Sequence, residues 1–202
     1  MNNLYLIIGP SGSGKTELSN ALAKKYYLTP VESYTTRPPR YPDEKGHIFV
    51  TEEHFSAIGE MCAYTEYNGY RYGVTKNILD ASDIYVIDPD GALYLFDRYT
   101  GKNLYYIWLD TSPLVCYERM ILRGDESTAA VDRVRYDKRA FSLAQLEEVR
   151  SRIHGAVIKT DNLTAEQVRK TAWTCIRSNE LTDGTEWRPV SIPVSNFTWK
   201  TN

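Results

Sequence analysis

Apolar residues gather in unbroken runs at Leu4–Ile8, Ile84–Ile87 and Leu104–Leu109, with a shorter run at Ala156–Ile158. Runs of this kind fit strands buried on both faces of a parallel sheet, where alternation with polar residues is lost. Helical segments separate them. One is predicted to start near Gly14, with Leu18, Ala21 and Leu22 on its inner face. Others cover residues 90–98 and 113–123, the second entered through Ser112 and Pro113 as an N-cap and N1 pair. The stretch from about Thr128 to Arg152 predicts one long helix. In the last helix, Thr164 and Gln167 are spaced for a capping box, and Leu163 and Val168 for a hydrophobic staple.

Strands alternating with helices imply an α/β fold with a mainly parallel central sheet. Between residues 31 and 75 short pieces rich in Tyr, Thr and Gly replace the buried runs. This predicts an inserted, partly antiparallel subdomain. The chain has 202 residues, 42% apolar and 25% charged, which is ordinary for a globular protein with a substantial core. A net charge of -2 gives no electrostatic reason to expect nucleic acid or a membrane as partner. Cys62, Cys116 and Cys175 are odd in number and far apart, so free thiols in a reducing cytosol are expected. The N-terminus lacks the pattern of a signal peptide, and no apolar segment is long enough for a bilayer. A cytoplasmic protein is expected.

Gly9-Pro10-Ser11-Gly12-Ser13-Gly14-Lys15-Thr16 directly follows the first apolar run and precedes an amphipathic helix. The pattern G-x-x-x-x-G-K-T in that setting is a nucleotide phosphate loop. Its glycines let backbone N–H groups point inward as an anion nest at a helix N-terminus. Lys15 adds a positive charge near the β- and γ-phosphates, and the Thr16 hydroxyl is suited to Mg²⁺. ATP and Mg²⁺ are the expected co-substrate and cofactor. The loop fixes the donor half of a reaction and leaves the acceptor open.

Ser33-Tyr34-Thr35-Thr36-Arg37-Pro38-Pro39-Arg40 holds two arginines three residues apart, stiffened by prolines. Rigid guanidinium forks suit a phosphate monoester; an ordinary basic surface loop is the competing explanation. Glu66–Gly73 is dense in Tyr hydroxyls suited to a phosphate or a base, or to packing in a strand pair. Arg119, Arg123, Arg133 and Arg135 flank Gly124–Thr128 and suit either a phosphate-binding lid or a solvated charged face.

Gly9–Thr16, Ser33–Arg40, Phe49–Phe55, Asn68–Gly73 and Ile87–Asp90, in this order, resemble the guanylate kinase family over roughly residues 4–177. The resemblance implies a three-layer P-loop NTPase core (residues 1–32 and 76–178), an acceptor-binding insert (33–75) and a helical lid at about 123–136. Residues 179–202 are left as an extension of unassigned role. It also implies transfer of the ATP γ-phosphoryl group to a small phosphorylated acceptor. Lys15, Arg37, Arg123 and Arg133 fall on catalytic positions. Ser33, Arg37, Arg40 and Tyr72 fall on acceptor-binding positions. Asp88 is expected to hold Mg²⁺ through water, and Asp90 to meet the acceptor base.

Three positions depart from the family. Ala63 and Val74 stand where it has guanine-contacting Glu and Ser or Thr, and His47 replaces a phosphate-contacting Tyr. His47 and Glu66 therefore join the expected acceptor set. For Glu66 this requires a strand shift of three residues, which turns a side chain to the other face. GMP or dGMP is the favoured acceptor. Val74, His47 and the missing Glu also look like the ribose bisphosphate kinases, although Arg40 keeps the second arginine of nucleotide kinases. Another nucleobase is a further alternative. A non-catalytic protein-binding module of this fold ranks last, because such modules usually lose the phosphate loop.

Overall fold

The computed structural model describes residues 2–39, 41–67 and 69–181. Its centre is a four-stranded parallel sheet in the order β6-β1-β7-β8, made of β1 (Asn3–Ile8), β6 (Ile84–Val86), β7 (Asn103–Asp110) and β8 (His154–Lys159). These are the four apolar runs. Central β1 and β7 are buried on both faces, as the runs require, whereas β8 is an edge strand with Val157 partly exposed.

Helices cover both faces. Leu4, Leu6 and Ile8 of β1 pack into a cluster with Ala92 and Leu95 of α4 (Pro89–Arg98) and Val149 of α7 (Leu143–Arg152). The alternate residues Tyr5 and Ile7 pack with Leu18 and Leu22 of α1 (Lys15–Tyr26) and Val168, Ala172 and Ile176 of α8 (Ala165–Leu181). The period-two geometry of β1 thus feeds two separate hydrophobic layers, giving an α/β/α sandwich. Ala21 is only partly buried and borders a cavity instead of the core.

A second sheet, order β3-β2-β5-β4, uses β2 (Ser33–Thr35), β3 (His47–Phe49), β4 (Ala63–Tyr67) and β5 (Tyr70–Val74). β2 pairs parallel with β3 and antiparallel with β5, and β4 with β5 antiparallel. The mixed pairing agrees with the pattern predicted between residues 31 and 75. A short helix α2 (Glu52–Ala57) connects β3 to β4, and another, α3 (Lys76–Ala81), follows β5.

The long helix predicted for residues 128–152 is two helices, α6 (Ser127–Ala140) and α7. Phe141 leaves helical geometry and turns its ring edge-on to Trp108, with centroids 6.0 Å apart. Ser142 then accepts from the Gln145 backbone N–H at 3.4 Å and caps α7. A core contact and a good cap thus interrupt the helix. Ser112 and Pro113 take the expected places at the start of α5 (Pro113–Leu122), but the Ser112 hydroxyl makes no cap bond; its backbone N–H donates to Asp161 instead. The Thr164–Gln167 capping box forms in both directions, at 2.8 and 3.3 Å. Among the described residues no helix is long and apolar enough to cross a membrane. α8 runs to Leu181, and residues 182–202 of the expected extension lie outside the described residues.

Candidate active site

The phosphate loop joins β1 to α1, at the carboxyl end of the parallel sheet. Gly12 has φ +80° and a Cβ there would lie 2.5 Å from the Cys116 carbonyl oxygen, so no other residue fits without movement. Gly14 is also left-handed and forms the N-cap of α1. Arg119 reaches the loop from α5, donating to the Ser13 carbonyl at 3.5 Å and the Thr160 carbonyl at 3.2 Å.

Lys15 donates to the Gly9 and Pro10 carbonyls at 2.6 and 2.8 Å. Burial pushes its pKa down to about 8, partly offset by the nearby Asp137 carboxylate. Asp137 itself accepts from the Ser11 backbone N–H at 2.6 Å. Lys15, Thr16, Arg119, Arg123 and Arg133 line one cavity of about 900 Å³, walled on the far side by the start of α8. Arg123 and Arg133 share one carboxylate, Asp125, at 2.6 and 3.1 Å to the same oxygen. Lys15, Arg119, Arg123 and Arg133 thus lie around one cavity, whereas Arg135 pairs with Asp132 on an exposed part of its helix and is not among the lining residues.

The acceptor candidates gather on the second sheet. Cross-strand pairs share a face, so the register puts Ser33, His47, Phe49, Thr65, Tyr72, Ala63 and Val74 on one side. Ser33 Oγ lies 2.8 Å from His47 Nδ1, and the His47 ring packs edge-on to Tyr72 at 5.8 Å. Arg37, only 8% exposed, lies over the Phe49 ring. Both its terminal nitrogens donate to Glu44, at 2.8 and 3.2 Å, which holds its pKa above the ordinary value.

Glu66 is not on that face. It sits opposite Arg71, bonds the Tyr64 hydroxyl, and is exposed. No shift of register has occurred, so the parity of the strand turns it away from Tyr72. Ala63 and Val74 pair directly and are 1% and 0% exposed in the core. The positions of the family's guanine ligands are thus packing positions here. Arg40 lies outside the described residues.

Asp88 and Asp90 follow β6, beside β1. Asp88 Oδ1 accepts from the Gly91 N–H at 2.8 Å as the N-cap of α4, and burial raises its carboxyl pKa. Asp90 accepts from Gln145 of α7 at 3.0 Å. The Thr16 hydroxyl and the Asp88 carboxylate are hard oxygen donors of the kind Mg²⁺ takes, so the donor set fits that ion.

Several groups at the site escape sequence reasoning. Glu44, Asp125 and Asp137 occupy cationic or N–H donors: Glu44 and Asp125 meet Arg37 and Arg123 within loops that no periodic spacing marks, and Asp137 reaches Ser11 across the chain. Thr65 could be placed beside Tyr72 only with the strand register known. Arg169, bonded to Glu166 and to the Tyr26 hydroxyl at 3.0 Å, lines the same cavity as Lys15; the capping box and hydrophobic staple before it signal that α8 begins there.

The family model described as guanylate kinase matches residues 1–91. The chain is 32% identical over 157 residues to guanylate kinase of Thermotoga maritima, covering 72% of this chain and 75% of that one. Against guanylate kinase of Alkalilimnicola ehrlichii the identity is 32% over 142 residues, covering 64% and 70%. Among solved structures, guanylate kinase from Anaplasma phagocytophilum superposes with a TM-score of 0.58 at 19% identity, over 89% and 87% of the chains. That last likeness concerns the fold.

Proposed function

The chain belongs to the guanylate kinase family, and on that premise we propose that it transfers the γ-phosphoryl group of ATP to the phosphate of GMP or dGMP. The observation that carries this is the grouping of Lys15, Thr16, Arg119, Arg123 and Arg133 around a single cavity at the phosphate loop. In this account residues 33–75 act as the acceptor-binding insert and about 123–136 as the lid. The guanylate kinase relatives favour a purine monophosphate over ribose 1,5-bisphosphate.

Phosphoryl transfer needs alignment and charge neutralisation more than covalent catalysis. The loop N–H groups bind the donor phosphates. Lys15 exchanges two carbonyl oxygens for phosphate oxygens. Thr16, and Asp88 through water, would hold Mg²⁺, which would supply positive charge to offset that of the donor phosphates. Arg123 and Arg133 leave Asp125 and offset charge on the transferring group. Arg37, Arg40, Ser33, His47 and Tyr72 hold the acceptor phosphate, and Asp90, steadied by Gln145, meets the base. That phosphate is itself the nucleophile and is already ionised, so no general base is required. Closure of lid and insert excludes water and suppresses hydrolysis. The free state of Cys62, Cys116 and Cys175 suits a cytoplasmic setting.

The test is transfer itself. With γ-labelled ATP, Mg²⁺ and GMP, label must appear in GDP. Label found only in inorganic phosphate, or no turnover, would overturn the proposal. Failure to bind ATP at all would instead favour a non-catalytic module.

A further inference from the structure

Asp137 stands in the place of a ligand. Its carboxylate accepts the Ser11 N–H at 2.6 Å, inside the loop whose N–H groups form the anion nest. The residue is 6% exposed, and no Lys or Arg among the described residues forms an ion pair with it. A buried carboxylate without a paired cation is costly unless its surroundings are built for an anion. Here they are: the loop is electropositive, and Lys15 attracts Asp137 at longer range. The Ser13 hydroxyl, buried in the same loop, has no hydrogen-bond partner. Asp137 thus satisfies part of a donor set larger than itself.

The carboxylate comes from the lid side. Asp137 lies one turn after Arg133 on α6, so both project from one face of that helix. Arg133 lines the donor cavity, while Asp137 fills the nest. A phosphate oxygen and a carboxylate oxygen cannot both accept the Ser11 N–H at hydrogen-bond distance. Phosphate entry therefore requires Asp137 to leave.

We propose that Asp137 is a built-in competitor of the donor phosphates: its carboxylate occupies the nest in the empty protein and sets the affinity for ATP. The inference rests on the assignment of Gly9–Thr16 to ATP. It gives α6 two opposed contributions, a guanidinium that favours the bound nucleotide and a carboxylate that favours its departure. Exchange of the two anions in the nest is the whole of the process, and no covalent step is involved.

Calorimetric titration with ATP, and separately with inorganic tripolyphosphate, tests this at pH 7. Relative to the unsubstituted protein, Asp137→Ala should bind both about tenfold tighter, and Asp137→Asn, which keeps a neutral acceptor, about threefold tighter. Asp132→Asn, on an exposed position of the same helix bonded to Arg135, should leave both affinities unchanged. The melting temperature of each variant, with and without tripolyphosphate, separates affinity from folding: the Asp137 variants should melt lower when empty and gain more on binding. Equal or weaker binding by both Asp137 variants, with binding by the unsubstituted protein intact, overturns the inference alone. Absence of ATP binding in all of them overturns the ATP assignment with it.

Discussion

Lys15 is held by two carbonyl oxygens and depressed by burial to about 8, against an ordinary 10.5. Donor phosphates would raise that value again. Above about pH 8 the complex then binds more protons than the empty protein, so ATP affinity falls as pH rises through this range. Proton uptake on binding, measured by calorimetry at pH 8 in two buffers of different ionisation enthalpy, checks this; uptake should vanish in Lys15→Met. The same substitution should lower kcat by about 10²–10³-fold with circular dichroism unchanged. Normal kcat in Lys15→Met would contradict its role. At the proposed lid, Arg123→Ala should cost about 10³-fold in kcat and little in KM for GMP if its contact is, as proposed, strongest with charge in the transition state.

At the scale of elements, the β4–β5 register decides what the face proposed for the acceptor offers. Ala63 and Val74 supply packing, while Ser33, His47, Thr65 and Tyr72 supply the polar groups. Thr65→Val should raise KM for GMP about fivefold, the loss of one hydrogen bond, with kcat near normal; initial rates against GMP concentration measure it. An unchanged KM would remove Thr65 from the site. The strands of the core were legible because unbroken apolar runs mean double burial, and the phosphate loop because its spacing has one structural setting. Glu66 shows the limit, since its face follows from a pairing partner that no local pattern names. The α6–α7 break shows another: Phe141 and Ser142 interrupt the helix through a contact with Trp108, 33 residues away in the chain. Ser142→Ala should lower unfolding free energy by about 0.5–1 kcal/mol in urea denaturation, the worth of a cap.

Across the whole molecule, the two sheets divide the labour. The parallel sheet carries the phosphate loop at its carboxyl end, and the mixed sheet carries the face proposed for the acceptor. Three of the chain's own carboxylates, Glu44, Asp125 and Asp137, hold groups that the proposal assigns to phosphate. On that proposal substrate binding is an exchange of anions, internal for external. The Asp137–Ser11 contact joins distant elements, and the Arg37–Glu44 and Arg123–Asp125 pairs form in loops that carry no periodic pattern, which is why the sequence showed the cations and concealed their partners. The central claim concerns the acceptor, and kcat/KM compared across GMP, dGMP, AMP, dTMP, dCMP and ribose 1,5-bisphosphate, with ATP·Mg²⁺ as donor and ADP release as the signal, tests it most directly. GMP and dGMP should exceed the others by at least about tenfold; equal rates across the panel, or a preference for ribose 1,5-bisphosphate, would contradict the account.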